Sequence, residues 1–130
     1  MIGNKIILDT NIIIDLFRGN SQILNLLDTL ERIDLPYVVL AELLLGAYRS
    51  SNREKHLSQI KGFLKKCKII HSDTDTANIY ALIKTELLKK GKPIPENDIW
   101  IAAIAQRHNL TLVTRDKHFK EVSGIKVKTW

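Results

Sequence analysis

Residues 5–18 read KIILDTNIIIDLFR, and this stretch decides the fold. The apolar run Ile6 to Leu8 has no polar alternation, which is typical of a parallel strand buried on both faces of a sheet. We therefore predict a strand over Lys5 to Asp9. Apolar residues at helical spacing follow from Asn11 to Arg18, and Gly19 is placed to end this helix in a left-handed conformation. A buried strand that leads directly into a helix is the first half of an α/β unit.

The same alternation of strand and helix continues to the end of the chain. Further strands are predicted at residues 34–39, 68–71, 110–114 and 126–130. Helices are predicted after Asn20 or Ser21, around Glu42, at 53–66, from Asp73 or Thr74 to Gly91, and at 96–108. This order predicts an α/β fold, a three-layer α/β/α sandwich with a mainly parallel central sheet, in a single domain over residues 1–130.

Composition excludes several classes of protein. A chain of 130 residues with 45% hydrophobic and 26% charged residues can bury one continuous core and is not typical of disorder. The single Cys67 has no partner for a disulfide or a zinc knuckle, and no apolar run reaches the roughly 18 residues that a transmembrane helix needs. We expect a soluble, cytoplasmic protein that does not enter a membrane.

The charge balance is basic. Twenty Lys and Arg residues outnumber fourteen Asp and Glu residues, for a formal net charge of +6. A basic surface favours binding to phosphate polymers through counterion release. Many of the lysines simply solvate the outer faces of helices, so the charge alone indicates nucleic-acid binding only weakly.

Four acids lie among apolar neighbours, at the ends of predicted strands or on predicted helices: Asp9, Glu42, Asp98 and Asp116. An ionised carboxylate in such surroundings costs several kcal/mol unless it is hydrogen-bonded, paired or bound to a cation. Hard divalent cations take oxygen ligands, and a cluster of acids without His or Cys fits that demand. Each aspartate also has a structural explanation, as a helix cap, a first-turn acid or a turn residue. The set of four indicates a metal site more strongly than any one member.

These residues belong to short motifs that occur in order along the chain. They are Leu8-Asp9-Thr10-Asn11, Ala41-Glu42-Leu43 with Gly46, Asn97-Asp98-Ile99 before Ala102-Ala103, and Thr114-Arg115-Asp116 with His118-Phe119. In order, spacing and total length the chain resembles the PIN-domain ribonucleases, and among them the VapC toxins of prokaryotic toxin-antitoxin modules. The resemblance covers essentially the whole chain.

The resemblance implies a metal-dependent endoribonuclease that hydrolyses RNA phosphodiester bonds. It implies that Asp9, Glu42, Asp98 and Asp116 form the acidic quartet that binds Mg²⁺ or Mn²⁺, with Asn11 and Thr114 as supporting residues. It further implies a homodimer and a VapB-type antitoxin as partner. We place the antitoxin groove on the helix around Leu43 to Tyr48 together with the first two helices.

Other functions remain open from the sequence. A non-catalytic RNA-binding or scaffold module could keep the fold without the chemistry. A phosphoacceptor or phosphatase domain is less compatible, because Asp9-Thr10-Asn11 lacks the second acid two residues on. A nuclease acting on DNA flaps would need accessory elements for which the chain has little room.

The histidines and Arg115 have no clear functional pattern. His56, His71, His108 and His118 share no metal-ligand spacing, so we predict surface or capping roles for them, with substrate contact as a second possibility for His118. Arg115 either contacts RNA phosphates or forms a local ion pair.

Overall fold

A computed structural model describes residues 6–130 and contains a five-stranded sheet flanked by helices. The strands are β1 (Ile6–Leu8), β2 (Ile33–Pro36), β3 (Cys67–Ile70), β4 (Thr111–Val113) and β5 (Lys126–Lys128). The helices are α1 (Thr10–Phe17), α2 (Ser21–Leu27), α3 (Tyr37–Arg49), α4 (Arg53–Leu64), α5 (Thr74–Lys90) and α6 (Glu96–Arg107), and a 3₁₀ helix covers Lys117–Glu121. The predicted α/β sandwich is confirmed.

The sheet has the strand order β3-β2-β1-β4-β5, and all of its pairings are parallel. From β1 the chain first builds outward through β2 and β3, and it then crosses to the other side of β1 to add β4. The point between β1 and β4 is therefore a topological switch point, where parallel α/β sheets bind their ligands at the carboxyl ends of the strands. Leu8 pairs with Val113 at that end, so the residues that follow these two strands start side by side.

The core explains why β1 has no polar residue. Ile7 and Leu8 are fully buried, and Leu112 and Val113 of the neighbouring β4 are fully buried too. Between α6 and the sheet, Ile101, Ala102, Ala103, Ile104 and Ala105 are at most 1% exposed. This packing holds the first turn of α6, which carries Asp98, over the carboxyl ends of the strands.

The second strand was predicted at residues 34–39, and its predicted C-terminal boundary was wrong. The strand stops at Pro36, and Val38 and Val39 lie in the first turn of α3, where they are 6% and 0% exposed. β-branched residues favour strands, but burial of these two against the core outweighs that weak preference. Pro36 lacks an amide hydrogen and adopts an extended conformation, so it ends β2 and precedes the helix without losing a hydrogen bond.

Other boundaries agree with the prediction to within a few residues. Asn20 caps α2 by accepting a hydrogen bond from the Ile23 amide, and Gly91 ends α5 with a φ of 66°. Gly19, at φ 95°, follows α1 as expected. Lys5, the predicted first residue of β1, lies outside the described residues. Within residues 6–130 no helix is long and apolar enough to cross a lipid bilayer.

Candidate active site

Asp9 is placed by the junction of β1 and α1. Its backbone amide donates to the Val113 carbonyl, which extends the β1–β4 ladder by one bond. Its side chain caps α1, with Oδ1 accepting from the Thr10 amide at 2.8 Å, while Oδ2 accepts from the Thr114 hydroxyl at 2.7 Å. Asp9 and Thr114 are 4% and 1% exposed. Two neighbouring strands therefore deliver a buried carboxylate and the hydroxyl that fixes it.

Thr114 also connects Asp9 to Asp116. The Asp116 amide donates to the same Thr114 oxygen at 3.0 Å, and the Asp116 carboxylate then caps the 3₁₀ helix by accepting from the His118 amide at 2.9 Å. The His118 ring nitrogen Nδ1 lies 2.9 Å from Asp116 Oδ1 and 3.1 Å from Asp98 Oδ2. The chain of contacts joins Asp9, Asp116 and Asp98 from three separate elements.

Glu42 approaches the same place from α3. Its Oε1 accepts from the Thr10 hydroxyl at 2.7 Å, and Asn97, at the start of α6, lies with Nδ2 3.5 Å from Oε2. The Thr10 backbone amide also donates to Asp9, so one residue contacts both Asp9 and Glu42. The structure thus brings together all four acids that the sequence singled out.

Burial and mutual repulsion disfavour simultaneous ionisation of the acids at this site. Burial raises the pKa of Asp9; hydrogen bonds from Thr114 and Thr10 oppose this effect, and the charges of Glu42 and Asp116 add to it. Burial also raises the pKa of Asp98 to about 6, opposed by the hydrogen bond from His118 and reinforced by the charges of Asp9 and Asp116. A cation among these oxygens would relieve both effects.

The donor set fits a divalent metal ion. Asp34, a third buried aspartate, meets the Arg32 guanidinium at 3.2 Å, whereas neither Asp9 nor Asp98 contacts a Lys or Arg side chain within residues 6–130. The supporting residue Asn11 lies with Nδ2 3.5 Å from Asp9, and its buried Oδ1 has no hydrogen-bond partner. Buried carboxylates and an unpaired amide oxygen match the ligands of Mg²⁺ and Mn²⁺.

A groove leads away from Glu42. It lies between α1, α3 and α4, has a volume of about 450 Å³, and has both apolar and basic lining residues: Ile14, Phe17, Arg18, Glu42, Leu43, Gly46, Ala47, Lys55, His56, Gln59 and Ile60. The sequence placed a groove on the first two helices and α3. The observed lining includes α4 and has no residue from α2, because α3 packs along α4.

The structure also shows the side-chain contacts of Arg115 and Trp100. Arg115 forms an ion pair with Asp15 of α1, and its Nε donates to the Trp130 carbonyl, so local pairing occupies this side chain. Trp100 of α6 stacks on Tyr80 of α5 with ring centroids 4.0 Å apart, which makes it a packing residue between these helices.

The sequence missed three polar contacts of the site. Thr10 and Asn97 were part of the motifs, but only the fold shows that both meet Glu42. His118 was expected at the surface, and its ring is 49% exposed, yet it contacts two of the acids. Its position two residues after Asp116 was the one signal available.

Comparison with known proteins identifies the family of this chain. The PIN domain family matches residues 6–125. The chain is 33% identical to ribonuclease VapC2 of Haemophilus influenzae, with 97% of this chain and 98% of the relative covered. It is 31% identical to the tRNA(fMet)-specific endonuclease VapC of Salmonella typhimurium, with 76% of each covered.

Solved structures give the same result. The complex of VapBC2 from Rickettsia felis, bound to a DNA fragment from their promoter, includes a chain similar to this one with a TM-score of 0.91 and 32% identity. The match covers 95% of this chain and 97% of that one. The length of the family match, together with these relatives, shows that the chain belongs to the PIN-domain family.

Proposed function

We propose that this protein is a metal-dependent endoribonuclease and the toxin of a type II toxin-antitoxin system, with the whole of residues 1–130 forming a single PIN domain. The observation that carries the proposal is the convergence of Asp9, Glu42, Asp98 and Asp116 at the switch point of the sheet, in a basic chain of the PIN family. Relatives that carry the names ribonuclease VapC2 and tRNA(fMet)-specific endonuclease support RNA as the substrate.

Asp9, Asp98 and Asp116 are the proposed ligands of Mg²⁺ or Mn²⁺. When bound, such a cation neutralises charge on the scissile phosphate and activates a water molecule for in-line attack. Thr114 holds Asp9 and the Asp116 backbone in one orientation, which keeps the carboxylate oxygens convergent. Asn11 supports Asp9 through its amide nitrogen, which lies 3.5 Å from Asp9 Oδ2.

Glu42 is the proposed proton acceptor. It is part-buried rather than fully enclosed; the Thr10 hydroxyl donates to one of its oxygens, and the Asn97 amide nitrogen lies 3.5 Å from the other. A carboxylate held in this way can orient the attacking water and accept its proton. We assign the different roles from burial. Asp9 and Asp98 are more buried than Glu42 and are therefore better suited to bind a cation.

A VapB-type antitoxin is the proposed partner, and a homodimer the proposed assembly. The similar VapBC2 complex supports the antitoxin. The groove between α1, α3 and α4 is the proposed docking surface, because it combines an apolar floor with direct access to Glu42. A bound antitoxin segment there would block the acids from RNA in the cytoplasm.

The experiment that tests this function compares wild type with Asp98→Asn. Total RNA is incubated with each protein in Mg²⁺, in Mn²⁺ and in a chelator, and new RNA ends are sequenced. We expect defined new ends with wild type and metal only. Asn has the shape of Asp and avoids burying a charge, so circular dichroism and thermal unfolding should show an intact fold in the variant. An absence of metal-dependent cleavage by folded wild type would favour a non-catalytic RNA-binding or scaffold module instead.

A further inference from the structure

His118 occupies an unusual position between two acids of the proposed site. Its Nδ1 lies within hydrogen-bonding distance of both Asp116 Oδ1 and Asp98 Oδ2, at 2.9 and 3.1 Å. A ring nitrogen carries at most one hydrogen, so it cannot make a full hydrogen bond to two carboxylate oxygens at once. One ring nitrogen is therefore shared between two carboxylate oxygens.

The same three atoms have the spacing of metal ligands. All three lie within 4.8 Å of one another. Neighbouring ligands of an octahedral ion with bonds near 2.1 Å stand about 3 Å apart, and both measured separations from Nδ1 are close to this value. A divalent cation among them would satisfy the imidazole nitrogen and both carboxylates together.

The backbone holds His118 in this place. Its amide donates to Asp116 Oδ1, and the next residue, Phe119, is 1% exposed and anchors the 3₁₀ helix in the core. The imidazole ring itself is 49% exposed, so its position does not come from burial of the ring. An exposed ring fixed by a buried neighbour and directed at two carboxylates is better explained by a ligand role than by packing.

We propose that His118 Nδ1 is a direct ligand of the metal ion, next to Asp98 and Asp116, and that this nitrogen biases the site towards Mn²⁺ over Mg²⁺. The inference rests on the function proposed above, because it assumes a cation at these acids. Mg²⁺ prefers oxygen ligands and retains water, whereas imidazole binds transition metals more readily. A nitrogen ligand therefore increases the affinity of the site for Mn²⁺ more than its affinity for Mg²⁺.

The test uses Mn²⁺ alone, without RNA, on wild type, His118→Ala, His118→Asn and His108→Ala. Electron paramagnetic resonance counts bound Mn²⁺, and pulsed measurements detect coupling of the ion to a ¹⁴N nucleus of imidazole. Mg²⁺ affinity is measured by competition against Mn²⁺. His108 is an exposed histidine at the end of α6 and serves as the matched control. An Asp98→Asn sample assigns the signal to this site.

We expect imidazole coupling in wild type and His108→Ala, and none in His118→Ala. Mn²⁺ affinity should fall at least about tenfold in His118→Ala, while Mg²⁺ affinity falls less. In His118→Asn an amide oxygen can replace Nδ1, so some Mn²⁺ binding should return without coupling and with a smaller preference over Mg²⁺.

Two results would overturn the inference and leave the metal site intact. One is Mn²⁺ bound by wild type without imidazole coupling. The other is unchanged or tighter Mn²⁺ binding by His118→Ala, which would mean that His118 substitutes for the cation instead of binding it. Wild type that binds no Mn²⁺ would overturn the metal site itself, and with it the proposed function.

Discussion

Two aspartates with the same local role have opposite surroundings in this molecule. Asp9 caps α1, and Asp73 caps α5 through a capping box with Thr76. Asp73 is exposed and forms an ion pair with Arg107 at 3.0 Å; the hydrogen bond from Arg107 lowers its pKa. Asp9 is 4% exposed, contacts no Lys or Arg side chain of residues 6–130, and its pKa is raised.

The difference separates a structural acid from a functional one. The helix cap and the Arg107 ion pair together explain why Asp73 carries a charge at this position. Capping does not explain Asp9, since Ser, Thr or Asn would cap α1 without burying a charge near other acids. A carboxylate that costs stability at this position is consistent with a cation-binding role.

The largest expected effect is on catalysis in Asp9→Asn. Asn retains the cap but not the charge, so we expect RNA cleavage to fall by at least about 100-fold. The free energy of unfolding of the metal-free protein should be unchanged or higher, because a neutral amide avoids the buried charge. Cleavage assays and urea unfolding measure the two quantities. A variant that is active, or inactive because it is unfolded, would remove the distinction between the two caps.

A smaller loss of activity is expected in Thr114→Val. Val keeps the shape of Thr but cannot donate to Asp9 or accept from the Asp116 amide, so cleavage should fall about 10- to 100-fold. Thr114→Ser retains the hydroxyl and is the matched control, with activity near wild type. Equal activity of the Val and Ser variants would show that the hydroxyl does not orient the acids.

Metal should stabilise the fold in a pH-dependent way. Asp98 has a pKa of about 6 against an ordinary value of 3.8, so the folded protein retains a proton that the unfolded chain loses over this interval. Metal-free stability should therefore fall as pH rises from about 4 to about 6. Mn²⁺ competes with that proton for the Asp98 carboxylate. Adding Mn²⁺ should therefore raise the thermal midpoint of the protein only slightly near pH 5 and by several degrees near pH 7.5. Thermal unfolding with and without Mn²⁺ measures this, and a larger increase at the lower pH would contradict it.

The smallest effect is expected in Asp73→Ala. RNA cleavage should stay at the wild-type level, while the thermal midpoint falls by a few degrees through loss of the cap and the Arg107 pair. Because the pKa of Asp73 is lowered in the fold, its contribution is present above the ordinary carboxyl pKa and disappears as pH falls through the acidic range. Thermal unfolding at neutral and acidic pH checks this, and a strong loss of cleavage would make Asp73 functional as well.

Local patterns were sufficient for much of the fold and for the identity of the acids. The run Ile6 to Leu8 predicts β1 because burial on both faces removes polar alternation, and Asp9 follows it directly. Asn20 and Asp73 predicted the starts of α2 and α5, because their side chains accept hydrogen bonds from backbone amides in the first turn of each helix. Parallel strands then require Asp9 and Thr114 to lie at one edge of the sheet.

Long-range contacts were not accessible from local patterns. Val38 and Val39 were predicted in a strand because their preference for strands is local, whereas their burial in α3 depends on the whole core. The position of Asp98 over Asp9 depends on how α6 packs on the sheet, and no spacing in the chain encodes it. The contact of His118 with Asp98 spans 20 residues and is set by the 3₁₀ helix after Asp116, which the sequence did not predict.

The most direct test of the central claim is a crystal structure in Mn²⁺, with the ion located by its anomalous scattering. We predict one strong peak within coordinating distance of carboxylate oxygens from Asp9, Asp98 and Asp116, and no peak at Asp73. A fully resolved site without a peak, or an ion bound only by exposed acids elsewhere, would contradict the account.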